Sequence, residues 1–181
     1  MKELRLVDRD IIIAVLSELG LQYTVGYDVE QSIKYEYVVA NGSVDGVEVY
    51  VKCEPESSRK SYCEVENPEF RHQGALKIVE PRQLKNAILE VVALAKQLKQ
   101  RLSELVALTE MLKESGFEIA AFANHVEAFK SYGGASYIRI YMDASSRVSI
   151  VLQVLDIEPR QAVELAKKLD SLVLETLKVS K

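Results

Sequence analysis

Apolar and polar residues follow two different periods along this chain. Residues 8–19 carry the roughly 3.6-residue period of an amphipathic helix, which returns before residue 115 and over residues 159–179. Eight segments instead alternate apolar and polar residues, as strands do: residues 21–27, 33–40, 47–53, 61–66, 117–123, 126–132, 137–143 and 148–155. Because short links join these strands, the pattern predicts an α+β fold with antiparallel sheets.

The order helix, four strands, helix occurs twice, and short sequence matches accompany it. Three segments recur in the same order: residues 16–21 with 112–117, 57–59 with 145–147, and 78–83 with 156–161. The last pair shares the tetrapeptide Glu-Pro-Arg-Gln, whose proline suits the first turn of a helix. We therefore predict a tandem duplication of an α-β-β-β-β-α unit, with domains at residues 1–100 and 101–181. The alternative is convergence, because caps and turns draw on few residue types.

Strand alternation assigns the faces of each sheet. In the strand at residues 137–143 the isoleucines point to one side, which we expect to be core. Tyr137, Arg139 and Tyr141 then point to the other side. By the same count the valines of residues 47–53 point inward. We expect helices to cover only one face of each sheet, an arrangement that antiparallel sheets tolerate.

One long helix is predicted at about residues 81–115, because residues 82–115 contain neither glycine nor proline. Its apolar residues follow a heptad pattern that includes Leu98, Leu102 and Leu105. A heptad stripe keeps one side of a helix facing a partner, so one interpretation makes these leucines a dimer interface. The alternative is packing against the chain's own sheets. A break into two helices near residues 100–103 stays open.

Composition indicates the class of protein and its compartment. Hydrophobic residues make up 48% and charged residues 28% of the chain, which is typical of a globular protein. No apolar run approaches the roughly 18 residues of a membrane span, and the N-terminal residues do not resemble a signal peptide. We therefore expect a cytoplasmic protein with no membrane partner. The net charge of −4 opposes phosphate backbones, so nucleic-acid binding requires a local patch.

The sequence carries no recognisable catalytic or metal-binding motif. His72 and His125 do not stand at metal-ligand spacing, and no phosphate-binding loop or nucleophile elbow occurs. We therefore expect no catalytic residue, no metal and no cofactor, with an enzyme of unknown class as a third hypothesis. Cys53 and Cys63 face each other if a hairpin turns at residues 57–59, which allows a disulfide. In a cytosolic protein we expect reduced thiols instead.

Two surfaces are candidates for binding. The first is the uncovered side of the second sheet, with Tyr137, Arg139 and Tyr141. The second is a basic spot near the extra segment at residues 67–74, and its members are Arg59, Arg71 and His72. Added segments often carry function, although an ordinary surface loop is the alternative.

These observations favour a non-enzymatic, self-associating protein that binds an unidentified protein through open sheet faces and the central helix. Tyr and Arg are enriched at protein interfaces. They also stack on unpaired bases, so the alternative is a protein that binds single-stranded RNA or DNA. The acidic net charge favours a protein partner, as do the mixed charges expected on the first sheet: Lys34, Glu36, Glu48, Lys52 and Glu64.

Overall fold

The structure is a computed structural model that describes residues 2–155 and 157–179, and over these residues it contains three α-helices and two β-sheets. The helices are α1 (Arg9–Glu18), α2 (Leu84–Glu110) and α3 (Pro159–Val179). The strands are β1 (Lys2–Leu4), β2 (Gln22–Glu30), β3 (Ile33–Val44), β4 (Val47–Ser57), β5 (Lys60–Glu66), β6 (Leu76–Val79), β7 (Glu118–Ala121), β8 (His125–Ser131), β9 (Tyr137–Asp143) and β10 (Val148–Gln153). The predicted α+β class and the eight predicted strands are confirmed.

The first sheet contains β1 to β6. Strands β2 to β5 form the predicted antiparallel meander, and β6 extends the sheet beyond β5. β1 runs parallel to β3 and pairs with residues 33–35. β4 pairs only with residues 38–44 of β3, so β1 takes up the same edge of β3 at residues 33–35. The sheet is therefore mixed, and neither β1 nor β6 was predicted.

Helices α1 and α2 cover one face of the first sheet. This face carries Val38, Val49 and Val51, and α1 contributes Ile12 and Leu16, all of them buried. The inward orientation predicted for the valines of β4 is confirmed, because strand side chains alternate between the covered and the open face. The apolar stripe of α1 and the valines of the sheet therefore form the core of the first half.

Helix α2 is continuous and belongs to both halves of the molecule. A 3₁₀ turn at Pro81–Gln83 precedes it and another at Met111–Ser115 follows it, so the break considered near residues 100–103 does not occur. The helix packs on β4, β5 and β6 of the first sheet and on β7 and β8 of the second. The central helix is therefore confirmed.

The heptad stripe of α2 packs inside the chain. Leu98 and Leu102 are only 2% and 9% exposed and belong to the hydrophobic core, and Leu105 packs against that core. The interface predicted at these three leucines is therefore not an open surface. These leucines pack inside the chain, as the alternative interpretation proposed. The two sheets lie on the side of the helix that a coiled-coil partner would need.

The second sheet is antiparallel, in the order β10-β9-β8-β7. Val126 and Ala128 on β8 are buried on the side where α2 packs. Ile138 and Ile140 on β9 are half-buried, however, and Ile150 on β10 is 67% exposed. The expectation that the isoleucine side is core is therefore met only in part, because α2 packs on β7 and β8 and leaves the β10 side of this face open.

Cys53 and Cys63 form a disulfide between β4 and β5. The two residues are direct partners in the strand register, and their Cα atoms are 4.0 Å apart. Such close spacing is typical of antiparallel partners that do not exchange backbone hydrogen bonds. The expectation of reduced thiols is therefore wrong, because the hairpin places the two side chains within bonding distance on the buried face.

Candidate functional site

The outer face of the second sheet gathers most of the aromatic side chains of the second half. In the strand register Tyr141 lies opposite Glu127, and Arg139 lies opposite Phe129. Because alternate residues share a side, Tyr137 belongs to the same face. We call this surface the aromatic face, and its members are Phe122, His125, Glu127, Phe129, Tyr137, Arg139 and Tyr141. The structure thus brings together the three residues that alternation assigned to this side.

The rings of the aromatic face contact one another. Phe122 and His125 stack with centroids 4.4 Å apart, and His125 lies 4.7 Å from Tyr141. The backbone N–H of Phe122 donates to the carbonyl of His125 over 2.8 Å, which closes the turn between β7 and β8 and holds Phe122 beside the strand. At the other end, Phe129 and Tyr137 are 5.6 Å apart. These ring contacts hold the aromatic side chains together as one apolar surface.

Arg139, the cation of the aromatic face, is paired with an acid. Its guanidinium donates to a carboxylate oxygen of Glu127 over 2.5 Å. This hydrogen bond and the charge of Glu127 raise the pKa of Arg139 above its ordinary value. The same carboxylate oxygen lies 3.6 Å from Nε2 of His125. The charges on this face therefore largely compensate one another, so the surface does not present an uncompensated positive charge.

Several apolar side chains of this face remain open to solvent. Phe122 is 48% exposed, Phe129 is 38% exposed, and Val151 of the neighbouring β10 is 44% exposed. Contiguous apolar exposure of this kind usually marks a contact surface. Together with the ring contacts, it makes the aromatic face the leading candidate site.

The basic spot expected at Arg59, Arg71 and His72 does not form one surface. Arg71 is paired with Glu64 and Glu66, at 3.1 and 2.9 Å. These glutamates belong to the C-terminal half of β5, whereas Arg59 directly precedes its first residue, about 20 Å away along the strand. His72 is exposed beside Arg71. Distance and charge pairing therefore separate the three residues that sequence proximity grouped together.

The extra segment at residues 67–74 is anchored in the core. Phe70 is 1% exposed and belongs to the hydrophobic cluster of the first half. The Asn67 side chain donates to the carbonyl of Glu48 over 2.8 Å and accepts from the N–H of Phe70 over 3.0 Å. The segment then continues into β6. Its position favours a structural role, because a buried aromatic ring and a bonded amide hold it against the sheet.

The open face of the first sheet carries tyrosines that were not singled out from the sequence. Tyr62 donates to Glu54 over 2.9 Å, and Lys52 lies 2.7 Å from the same carboxylate group. Burial, then the hydrogen bond to Glu54, raises the pKa of Tyr62. Tyr35 and Tyr62 help to line an open cleft of about 310 Å³. The alternation of apolar and polar residues within residues 33–40 and 60–66 already indicates that these tyrosines lie on the open face.

Glu36 lies on the covered side of the first sheet and not among the outward charges where it was expected. It is 2% exposed, and one carboxylate oxygen accepts the backbone N–H of Leu6 over 3.1 Å. The other oxygen lies 3.2 Å from Arg9 and accepts from the Tyr27 hydroxyl over 3.4 Å. Its neighbours explain its burial, since each carboxylate oxygen has a donor. Glu36 therefore ties the segment before α1 to the sheet.

Comparisons with known proteins find no match: no family model matches the chain, and no curated protein or solved structure does. Within residues 2–155 and 157–179, no group of three or more His, Cys, Asp or Glu side chains is placed to hold a metal ion. None of the helices in this part of the chain combines the length and the apolar character that crossing a bilayer requires.

Proposed function

We propose that this chain is a non-enzymatic binding protein that engages another protein through the aromatic face. The observation that carries the proposal is the pairing of Arg139 with Glu127 among exposed rings. Aromatic residues and arginine are enriched at protein interfaces, where stacked rings supply contact area at little entropic cost. A surface that binds nucleic acid instead needs cations available for phosphates, and here the central cation already has an acidic partner.

The proposal is tested by capture from cells of the source organism, with proteins identified by mass spectrometry. We expect Tyr137→Ala combined with Tyr141→Ala to weaken binding at least about 30-fold, because central aromatic anchors typically supply about 2 kcal/mol or more. The matched control is Tyr50→Ala, which removes a half-buried tyrosine from the open face of the first sheet. If the double tyrosine variant and the Tyr50→Ala control retain the same proteins in the same amounts, the aromatic face is not the binding surface.

Binding of single-stranded nucleic acid is the second candidate function, and the cluster of the Phe122, His125 and Tyr141 rings is the observation that favours it. Fluorescence anisotropy with labelled oligo(U) and oligo(dT) tests it over a range of salt concentrations. A nucleic-acid binder must weaken steeply with salt, and Tyr141→Ala should then cost about 1 to 3 kcal/mol. Absence of binding at low salt would remove this candidate.

We also propose that the two halves are tandem copies of one unit, with a boundary near residue 100. Each half contains four consecutive antiparallel strands and then a helix, with the additional strand β6 between β5 and α2 in the first half, and Glu-Pro-Arg-Gln precedes both α2 and the body of α3. Superposition of the backbones of β2–β5 and β7–β10 tests the duplication. Strands that overlay only after a change of order would contradict it.

The cytoplasm is the compartment that we propose. The Cys53–Cys63 disulfide would then lie in a reducing environment, where disulfides are rare. Both residues are 0% exposed, so a reductant cannot reach the sulfur atoms without opening of the sheet. Cell fractionation with detection of the full chain in each fraction tests the proposal, and recovery of the chain outside the cytosolic fraction would contradict it.

A further inference from the structure

Helix α3 carries the same apolar stripe as α2 but does not bury it. Counted from the end of the shared Glu-Pro-Arg-Gln, both helices have apolar residues at positions 1, 4, 5, 8, 11 and 12. In α2 this stripe includes Leu84, Ile88 and Val91, which are buried against the first sheet. In α3, Leu169 is 41% exposed and Leu172 is 60% exposed. The stripe of α3 is therefore left largely uncovered, most of all toward its outer end.

The second sheet offers an open apolar surface of the matching kind. Ile150 lies opposite Ile140, and Val148 lies opposite Met142, so these four side chains share the inner face. Val148 and Ile150 are more than half exposed, because α2 packs toward the opposite edge of the sheet, on β7 and β8. An exposed apolar strand next to a covered one favours docking of a second helix beside α2.

We propose that two copies of this chain exchange α3, so that the outer half of each α3 lies on the inner face of the other copy's second sheet. The first turns of α3 stay with their own sheet, where Leu165 and Leu169 share a small cavity with Leu152 of β10. Beyond them, Leu172 and Val173 are exposed. Each chain thus presents one open helix and one open sheet face, and a two-fold axis satisfies both at once.

The available area fits a stable dimer. Six aliphatic side chains in the outer half of α3, on β10 and at or just after the end of α2 are 54 to 68% exposed: Leu108, Met111, Val148, Ile150, Leu172 and Val173. Burying their exposed surface removes roughly 200 to 450 Å² of apolar surface per copy. A specific interface needs at least about 500 Å² per partner, of which about 280 to 330 Å² is apolar. The two surfaces therefore supply what a specific dimer requires.

Analytical ultracentrifugation of the full chain tests the exchange. We expect the wild type to sediment as a dimer, and Leu172→Glu and Ile150→Glu each to raise the dimer dissociation constant at least about 30-fold. The matched control is Ile78→Glu on the outer face of the first sheet, where Ile78 is 66% exposed and Ile150 is 67% exposed. Circular dichroism checks that each variant is folded. A monomeric wild type, or a dimer that survives both substitutions, would overturn the proposal.

Cross-linking between copies distinguishes exchange from a helix that folds back on its own sheet. One tagged copy carries Ile150→Cys and a differently tagged copy carries Leu172→Cys, and the mixture is oxidised. We expect a disulfide that joins the two tags, whereas a mixture of Ile78→Cys and Leu172→Cys should give none. Cross-links that form only when both cysteines are on one chain would refute the exchange. These tests do not rest on the proposed function, because they leave the aromatic face unchanged.

Discussion

Replacing Glu36 tests whether a single buried carboxylate holds the N-terminal segment on the sheet. The side chain is 2% exposed, accepts the N–H of Leu6 and lies 3.2 Å from Arg9. Glu36→Ala leaves the Leu6 N–H without its acceptor and removes the ion pair with the half-exposed Arg9, so we expect a loss of about 2 to 3 kcal/mol in the free energy of unfolding. Glu36→Gln keeps an acceptor oxygen for the Leu6 N–H but loses the charge and replaces the second acceptor oxygen with an NH2 donor, so it should cost about 1 to 2 kcal/mol.

Urea denaturation at neutral pH measures both losses from the shift in midpoint at constant slope. The matched control is Glu48→Ala, which removes an exposed carboxylate from the outer side of β4 and should change stability by less than about 0.5 kcal/mol. Hydrogen exchange adds a local readout, because the Leu6 amide should exchange faster in Glu36→Ala. Equal losses for Glu36→Ala and Glu48→Ala would refute the reasoning, as would an unchanged exchange rate at Leu6.

Three other arrangements make separate predictions. Because Cys53 and Cys63 are bonded, the protein denatured without reductant should show no free thiol, and reduction should lower stability by about 2 to 3 kcal/mol; a titration that finds two thiols would contradict this. The pKa of Tyr62 is raised in the folded protein, so this group contributes stability below the unfolded pKa of about 10, and that stability is lost as pH rises through the folded pKa. Tyr62→Phe should therefore flatten the fall in stability, measured by urea denaturation, above about pH 10. An equally steep fall would count against this reasoning. Leu98→Ala should cost about 2 to 5 kcal/mol in thermal unfolding without altering the sedimented mass, whereas the partly exposed Leu89→Ala should cost less than half as much; a changed mass with little loss of stability would favour the coiled-coil interpretation.

Periodicity was sufficient to locate most elements of the fold. The closing helix was expected at residues 159–179 and α3 occupies Pro159–Val179, because the proline start and the long apolar stripe leave little ambiguity. β1 escaped prediction since three residues cannot show alternation, and its stability comes from a tertiary contact with β3. β6 follows the added segment at residues 67–74, and no strand was expected between that segment and the central helix.

The sequence predicted which side chains of the candidate site share a face of the sheet, but it did not predict how their charges pair. Alternation placed Tyr137, Arg139 and Tyr141 on one side of β9, because the backbone alone dictates that geometry. The partner of Arg139 depends on the register between β8 and β9, which no local pattern specifies. Glu36 shows the same limit: its strand was expected, but burial of its carboxylate depends on donors from α1 and β2.

Helix α2 makes the two halves of this chain thermodynamically inseparable. A helix of 27 residues is about 40 Å long, and here it packs against both sheets. A division at residue 100 would cut through it and leave each fragment with an uncovered hydrophobic layer. Melting should therefore proceed as one cooperative event, and a split reporter built on this scaffold should be cut at the Gly133–Gly134 turn, where no shared element is severed.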